Sequence, residues 1–128
     1  MPSILSGRRV LVVEDEMMVL FMIEGILADL GCKSVSTAAT VEQALALVEA
    51  QTFDAAMLDS NLNGTRSDPI ADALDARGVP LFFSTGYSNL AVKDGYRDRH
   101  VLKKPFQREG VEASFRHVLS VAQDQKPS

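Results

Sequence analysis

Residues 53–64 read FDAAMLDSNLNG. A largely apolar run rises from Phe53 to Leu58 and stops at a carboxylate, Asp59; turn-forming residues then surround a single Leu62. Such a run, without strict alternation, is the pattern of a strand covered on both faces. A charge at its end is costly to bury. Asp59 is therefore either an ordinary turn starter or a nucleophile placed at a strand end.

The pattern repeats on both sides of this stretch. Arg9–Val13 (RVLVV) is apolar and β-branched and ends at Glu14-Asp15-Glu16. Leu20, Ile23, Leu27 and Leu30 follow at spacings of 3, 4 and 3, which predicts an amphipathic helix with Gly31 just past its end. Ser34–Ser36 reads as a short strand, and Thr40 as the cap of a second helix with Val41, Ala44, Leu45 and Val48 on one face. Beyond Asp59, Asp68 reads as a cap and Pro69 as the first residue of a third helix, which runs to Ala76 and is closed by Gly78. Pro80–Thr85 is the fourth strand, and Asn89–Gly95 reads as a short helix with few apolar residues. Val101-Leu102 is the fifth strand. Val111, Phe115, Val118 and Ala122 mark a last helix before a polar tail from about Gln123.

Five alternations of strand and helix predict an α/β fold: a parallel sheet with helices on both faces, joined by right-handed crossovers. In such sheets ligands bind outside the carboxyl ends of the strands. Those ends carry Glu14 and Asp15, then Asp59, Thr85 and Lys104. Each has an ordinary reading. Acids favour a helix start, β-branched residues suit a strand, and a lysine is usually solvated. Together, at successive strand ends, they predict three converging carboxylates. Like charges that close need a positive counterpart. Lys104 supplies one, and a hard divalent cation such as Mg²⁺ suits the remaining oxygen ligands.

Composition narrows the classes. The 128 residues are 46% hydrophobic and 23% charged, enough for a single globular domain over residues 1–128 with a core of about 8–121. A net charge of −4 argues against nucleic acid as partner. No apolar run reaches the ~20 residues of a membrane helix, and the first ten residues lack the order of a signal peptide. A single cysteine, Cys32, excludes an internal disulfide and fits a reducing cytoplasm. Met17, Met18 and Met22 read as core filling, with an adaptable surface as the alternative. His100 and His117 read as solvent-facing.

Four motifs in order, VLVVEDE, MLDSNLNG, FFSTGY and VLKKPF, resemble the acidic pair, acceptor strand and loop, Thr/Ser strand and Lys-Pro segment of response-regulator receiver domains of bacterial two-component signalling. The resemblance spans about residues 8–121. FFSTGY is also similar to the Phe-Ala-Thr-Gly-Tyr segment of a stand-alone subgroup, with Ser84 for Ala. It implies a CheY-like, flavodoxin-like (βα)5 fold with strand order 2-1-3-4-5. It implies that Asp59 accepts a phosphoryl group from a sensor histidine kinase, of HWE or HisKA2 type, or from a phosphotransfer protein. Asp15 would ligate Mg²⁺ directly and Glu14 through water, with the Asn61 carbonyl completing the protein's contacts. Thr85 and Lys104 would bind phosphoryl oxygens, and Pro105, typically cis, would aim Lys104. Catalysis would be limited to the protein's own phosphorylation and dephosphorylation.

A carboxylate nucleophile needs no general base, because carboxylates are ionised at neutral pH. That accounts for the lack of a catalytic histidine. With the core ending near residue 121, output is expected by contact with a downstream protein or by draining phosphate. Leu90, Val92, Tyr96, Lys93, Arg97, Arg99 and Lys103 fall on the face such domains use for partners. The sequence departs from the resemblance at Val101, where a switch aromatic is usual, and at Asn63, where proline is. Tyr87 and Tyr96 are available as substitutes for the aromatic, and Tyr87 over the Asp59 entrance predicts a long-lived phosphorylated state. The polar, Gly-containing loop Asn61–Ser67 is expected to be mobile before phosphorylation. A phosphatase of the HAD-like type ranks second, but it wants an acid where Asn61 stands. A protein-binding domain that receives no phosphate is the third reading.

Overall fold

Arg9–Val13 (β1) is hydrogen-bonded along both edges, and the sheet grows outward from it. The computed structural model describes residues 4–86 and 100–125. β1 pairs in parallel with β2 (Ser34–Ala38) on one side and β3 (Ala55–Asp59) on the other. A short hairpin follows β3, made of β4 (Asn61–Leu62) and β5 (Thr65–Arg66). The sheet resumes with β6 (Leu81–Thr85) beside β3, and β7 (Val101–Lys103) beside β6. The order β2-β1-β3-β6-β7 is the expected 2-1-3-4-5 once the hairpin strands are counted.

Side chains alternate across the sheet, so each strand feeds two cores. Leu11, Val13, Ala56, Leu58 and Phe83 face α2 (Val41–Ala50) and α3 (Asp68–Ala76), which contribute Ala44, Val48, Ile70 and Leu74. Val10, Val12, Ala55, Met57 and Phe82 face α1 (Met17–Asp29) and α4 (Arg108–Gln125), which contribute Ile23, Leu27, Val111 and Phe115. Phe82 and Phe115 meet edge to face, 4.8 Å between ring centroids. Burying each such ring stabilises the fold by roughly 1.5–3 kcal/mol. This doubly covered sheet is why the strand sequences lack simple alternation.

Local signals acted largely as read. Thr40 Oγ1 accepts from the Gln43 amide and caps α2. Gly31 follows α1 at φ 87°, a conformation glycine adopts without strain. Several boundaries differ. β3 begins at Ala55, because Asp54 turns aside to accept a hydrogen bond from the Arg9 amide. Ser67, not Asp68, occupies the N-cap position of α3, without a side-chain capping hydrogen bond; Asp68 is already helical and pairs with Arg66 at 2.8 Å. α4 extends to Gln125 rather than ending at a polar tail near Gln123.

Two readings of side-chain placement are corrected. Leu20, Ile23 and Leu27 fill the buried stripe of α1, and a helix buries only one stripe. Met17, Met18 and Met22 are therefore 51%, 83% and 42% exposed, with Phe21 at 59% beside them. His100 is half-buried rather than solvent-facing. Its Nε2 lies 2.9 Å from Ser114 Oγ, and its ring rests edge-on against Phe82. Burial and the neighbouring His117 lower its pKa. His117 is exposed, as read. The expected helix Asn89–Gly95, with Tyr87, Leu90, Val92, Lys93, Tyr96, Arg97 and Arg99, lies outside the described residues.

Candidate functional site

β1, β3, β6 and β7 all run the same way, so their carboxyl ends open onto one rim. β1 delivers Glu14 and Asp15, and β3 ends on Asp59. One carboxylate oxygen from each of these three lies within 4.8 Å of the others. β7 runs into Lys104, whose amide donates to the Thr85 carbonyl at the end of β6. The Lys104–Pro105 bond is cis.

The lysine binds the acids together. Lys104 Nζ donates to Asp59 Oδ2 at 3.1 Å and lies 2.9 Å from Glu14 Oε1. The Glu14 contact is a close ion pair to a buried carboxylate oxygen. The other Glu14 oxygen accepts from the Glu16 amide at 3.1 Å. Asp59 Oδ1 accepts from the Asn61 amide at 3.2 Å.

Charge is unbalanced here. Glu14 is 1% exposed, and burial pushes its carboxyl up to about 7; Lys104 opposes this and Asp59 adds to it. Burial works to lower the Lys104 pKa, but Glu14 and Asp59 outweigh it and hold the ammonium above its ordinary value. Among the described residues, three carboxylates cluster here and the Lys104 ammonium pairs with two of them, Glu14 and Asp59. The all-oxygen set of Glu14, Asp15 and Asp59 fits a hard divalent cation.

A cleft of about 620 Å³ opens over these groups, lined by Asp15, Glu16, Asp59, Asn61, Asn63, Gly64, Gly86 and Lys104. Thr85 is buried at the end of β6, next to Gly86 of the cleft wall. Val101 is partly buried and packs against the α2–α3 side of the core, in the place expected of an aromatic.

One wall of the cleft was not foreseen. The segment Asn61–Ser67, read from sequence only as a polar loop, forms the β4–β5 hairpin, with Asn63 at φ 54° and Gly64 at φ 94°. Asn-Gly between paired residues is a strong signal for a two-residue turn, and it was present in the sequence. Leu62 is buried and anchors the hairpin in the core; Asn61 Oδ1 accepts from the Gly64 amide at 2.7 Å.

Comparison with known proteins agrees with this geometry. A model of the family described as "Response regulator receiver domain" matches residues 10–116. The solution structure of SdrG from Sphingomonas melonis Fr1 is 44% identical, with a TM-score of 0.78; the match covers 88% of this chain and 96% of that one. The BeF3-activated conformation of SdrG from Pseudomonas melonis Fr1 is 43% identical with a TM-score of 0.75, covering 89% and 98%. A CheY-like receiver domain protein from Methanospirillum hungatei JF-1 shares the fold, with a TM-score of 0.80 at 23% identity over 94% of this chain and 100% of that one. The comparison with curated proteins gave no match. Receiver domains are in general signalling domains rather than enzymes, and they interact with histidine kinases or phosphotransfer proteins. With its family match over residues 10–116 and its acids gathered at the strand ends, this chain belongs to the response regulator receiver domain family.

Proposed function

We propose that the protein accepts a phosphoryl group on Asp59 from a phosphohistidine of a sensor histidine kinase or of a phosphotransfer protein, and signals as a single domain. The carrying observation is the setting of the Asp59 carboxylate. Lys104 holds one oxygen at 3.1 Å, the Asn61 amide holds the other at 3.2 Å, and the cleft opens over both.

Phosphoryl transfer proceeds in line through a loose transition state, so positioning and charge neutralisation dominate. An Asp59 oxygen attacks phosphorus, the P–N bond to the donor imidazole breaks, and its electron pair returns to the ring nitrogen. Lys104 moves from carboxylate to phosphoryl oxygen, and the Thr85 hydroxyl orients a second one. Glu14, Asp15, Asp59 and the Asn61 carbonyl would hold Mg²⁺, which supplies the charge that three carboxylates and a phosphoryl group lack. The 43% identical SdrG exists in a BeF3-activated conformation, which supports a site of this chemistry.

The donor protein needs a surface beside the cleft. Glu16 lines the cleft and immediately precedes α1, and the exposed face of Met17, Met18, Phe21 and Met22 begins there. Flexible thioethers suit a helical partner. Cys32 is a free thiol and, among the described residues, no helix can cross a membrane, in keeping with a cytoplasmic protein. A phosphatase is disfavoured because the Asn61 carboxamide cannot serve as a general acid, and its oxygen is engaged by Gly64.

Acetyl phosphate with Mg²⁺ is expected to label the wild type but not Asp59→Asn, and chelator is expected to stop labelling. Equal labelling of the Asn variant rejects the assignment.

A further inference from the structure

Asn63-Gly64 is the sole Asn-Gly dipeptide of the sequence. It forms the exposed tip of the β4–β5 hairpin, and both residues line the cleft over Asp59. In Asn-Gly the glycine nitrogen can reach the asparagine side-chain carbonyl, because no Cβ obstructs the approach. A Cβ built at Gly64 would meet nothing within 4 Å, so the space on that side of the tip is open. Its restraint is a hydrogen bond, from the Gly64 amide to Asn61 Oδ1 at 2.7 Å.

We propose that Asn63 is a site of spontaneous deamidation, that the Asn61 carboxamide restrains it, and that the product adds a carboxylate to the acidic cleft. The Gly64 amide gives its proton to solvent, and its nitrogen attacks Asn63 Cγ. A new N–C bond forms, the bond to the side-chain nitrogen breaks, and that nitrogen takes up a proton and leaves as ammonia. Water then opens the succinimide ring at either carbonyl, giving aspartate or isoaspartate. Water is the only co-reactant.

The hydrogen bond opposes the first step in two ways. It keeps the amide proton on Gly64, and it holds the tip in a turn with both φ values positive. Reaction therefore runs through the opened tip. Aspartate tolerates the left-handed conformation of position 63, so that product keeps the hairpin. Isoaspartate lengthens the main chain by one carbon and breaks its register. The aspartate product adds a negative charge to the cleft wall that Asp15 and Asp59 also line, which strengthens attraction for a divalent cation. That consequence, unlike the modification itself, rests on the proposed phosphoryl-acceptor site.

The full-length protein is aged in mildly alkaline buffer, digested, and its peptides weighed. Conversion is expected at Asn63. Loss of a hydrogen bond of ordinary strength predicts about fivefold faster conversion in Asn61→Ala, with the wild-type rate restored in Asn61→Asp, which keeps an acceptor. Urea unfolding establishes that the variants are folded; independently of any variant, the Gly64 amide of the wild type is expected to exchange more slowly than that of Asn63. Three results each overturn the proposal: no conversion where the excised peptide converts, equal rates in a folded Asn61→Ala variant, or fast exchange at Gly64. Asn63→Asp is expected to bind Mg²⁺ about threefold more tightly by calorimetry. Unchanged affinity overturns the charge effect, whereas absence of Mg²⁺ binding in the wild type marks failure of the acceptor reading instead.

Discussion

Lys104 Nζ stands 2.9 Å from Glu14 Oε1, linking the carboxyl end of the first sheet strand to that of the last. The same ammonium reaches Asp59 Oδ2 at 3.1 Å. One lysine thus holds together acids that would otherwise repel, and several expectations follow from that economy.

Replacing Lys104 with methionine leaves Glu14 and Asp59 buried without a counter-charge. Stability without divalent ions is expected to fall by about 1–3 kcal/mol. Urea titrations with and without Mg²⁺ check this. The deficit should shrink when Mg²⁺ is present.

Glu14 gives the metal-free protein a definite pH dependence. Its carboxyl is raised from 4.5 to about 7, so the folded state binds that proton more tightly than the unfolded chain. Its contribution is complete below about 4.5 and is lost as pH rises through about 7. At about 1.4 kcal/mol per unit, the loss is on the order of 3 kcal/mol. Denaturation in chelator across this range should show the decline, and Glu14→Gln or added Mg²⁺ should flatten it. A stability that rises with pH over the same interval contradicts the assignment.

The α1 surface separates docking from chemistry. Phe21→Glu and Met18→Glu alter exposed side chains, so stability should change by less than about 0.5 kcal/mol. Labelling by acetyl phosphate should persist while transfer from a phosphorylated histidine kinase falls at least about tenfold, equivalent to about 1.4 kcal/mol. Unchanged transfer from the kinase moves the docking surface elsewhere.

The hairpin tip tests backbone strain in isolation. Gly64 has φ 94°, and an added Cβ meets no atom within 4 Å. Gly64→Ala should therefore cost about 1 kcal/mol from conformation alone. Chemical denaturation measures it. Substituting Asn63 by Gly should be close to neutral, because glycine adopts φ 54° readily.

Much of this was legible in one dimension. The apolar runs at 9–13 and 81–85, the helical spacing of Leu20, Ile23 and Leu27, and the Thr40 cap report local physics, and each formed as read. Glu14, Asp15, Asp59 and Lys104 stood out because each ends an apolar strand on a charge. The hairpin was also legible, in Asn63-Gly64, but polar loop composition obscured it.

The chain order of strands and charges was thus determined by sequence. Which methionines are exposed was not, because periodicity marks a buried stripe but not its edges. Lys104 was read as the acids' counter-charge, but its direct 2.9 Å contact with Glu14, ninety residues away in the chain, was not. Parallel strands about 4.8 Å apart bring positions 14, 59 and 104 to one rim. Burial there, rather than any local propensity, raises the Glu14 carboxyl and makes a neighbouring cation necessary.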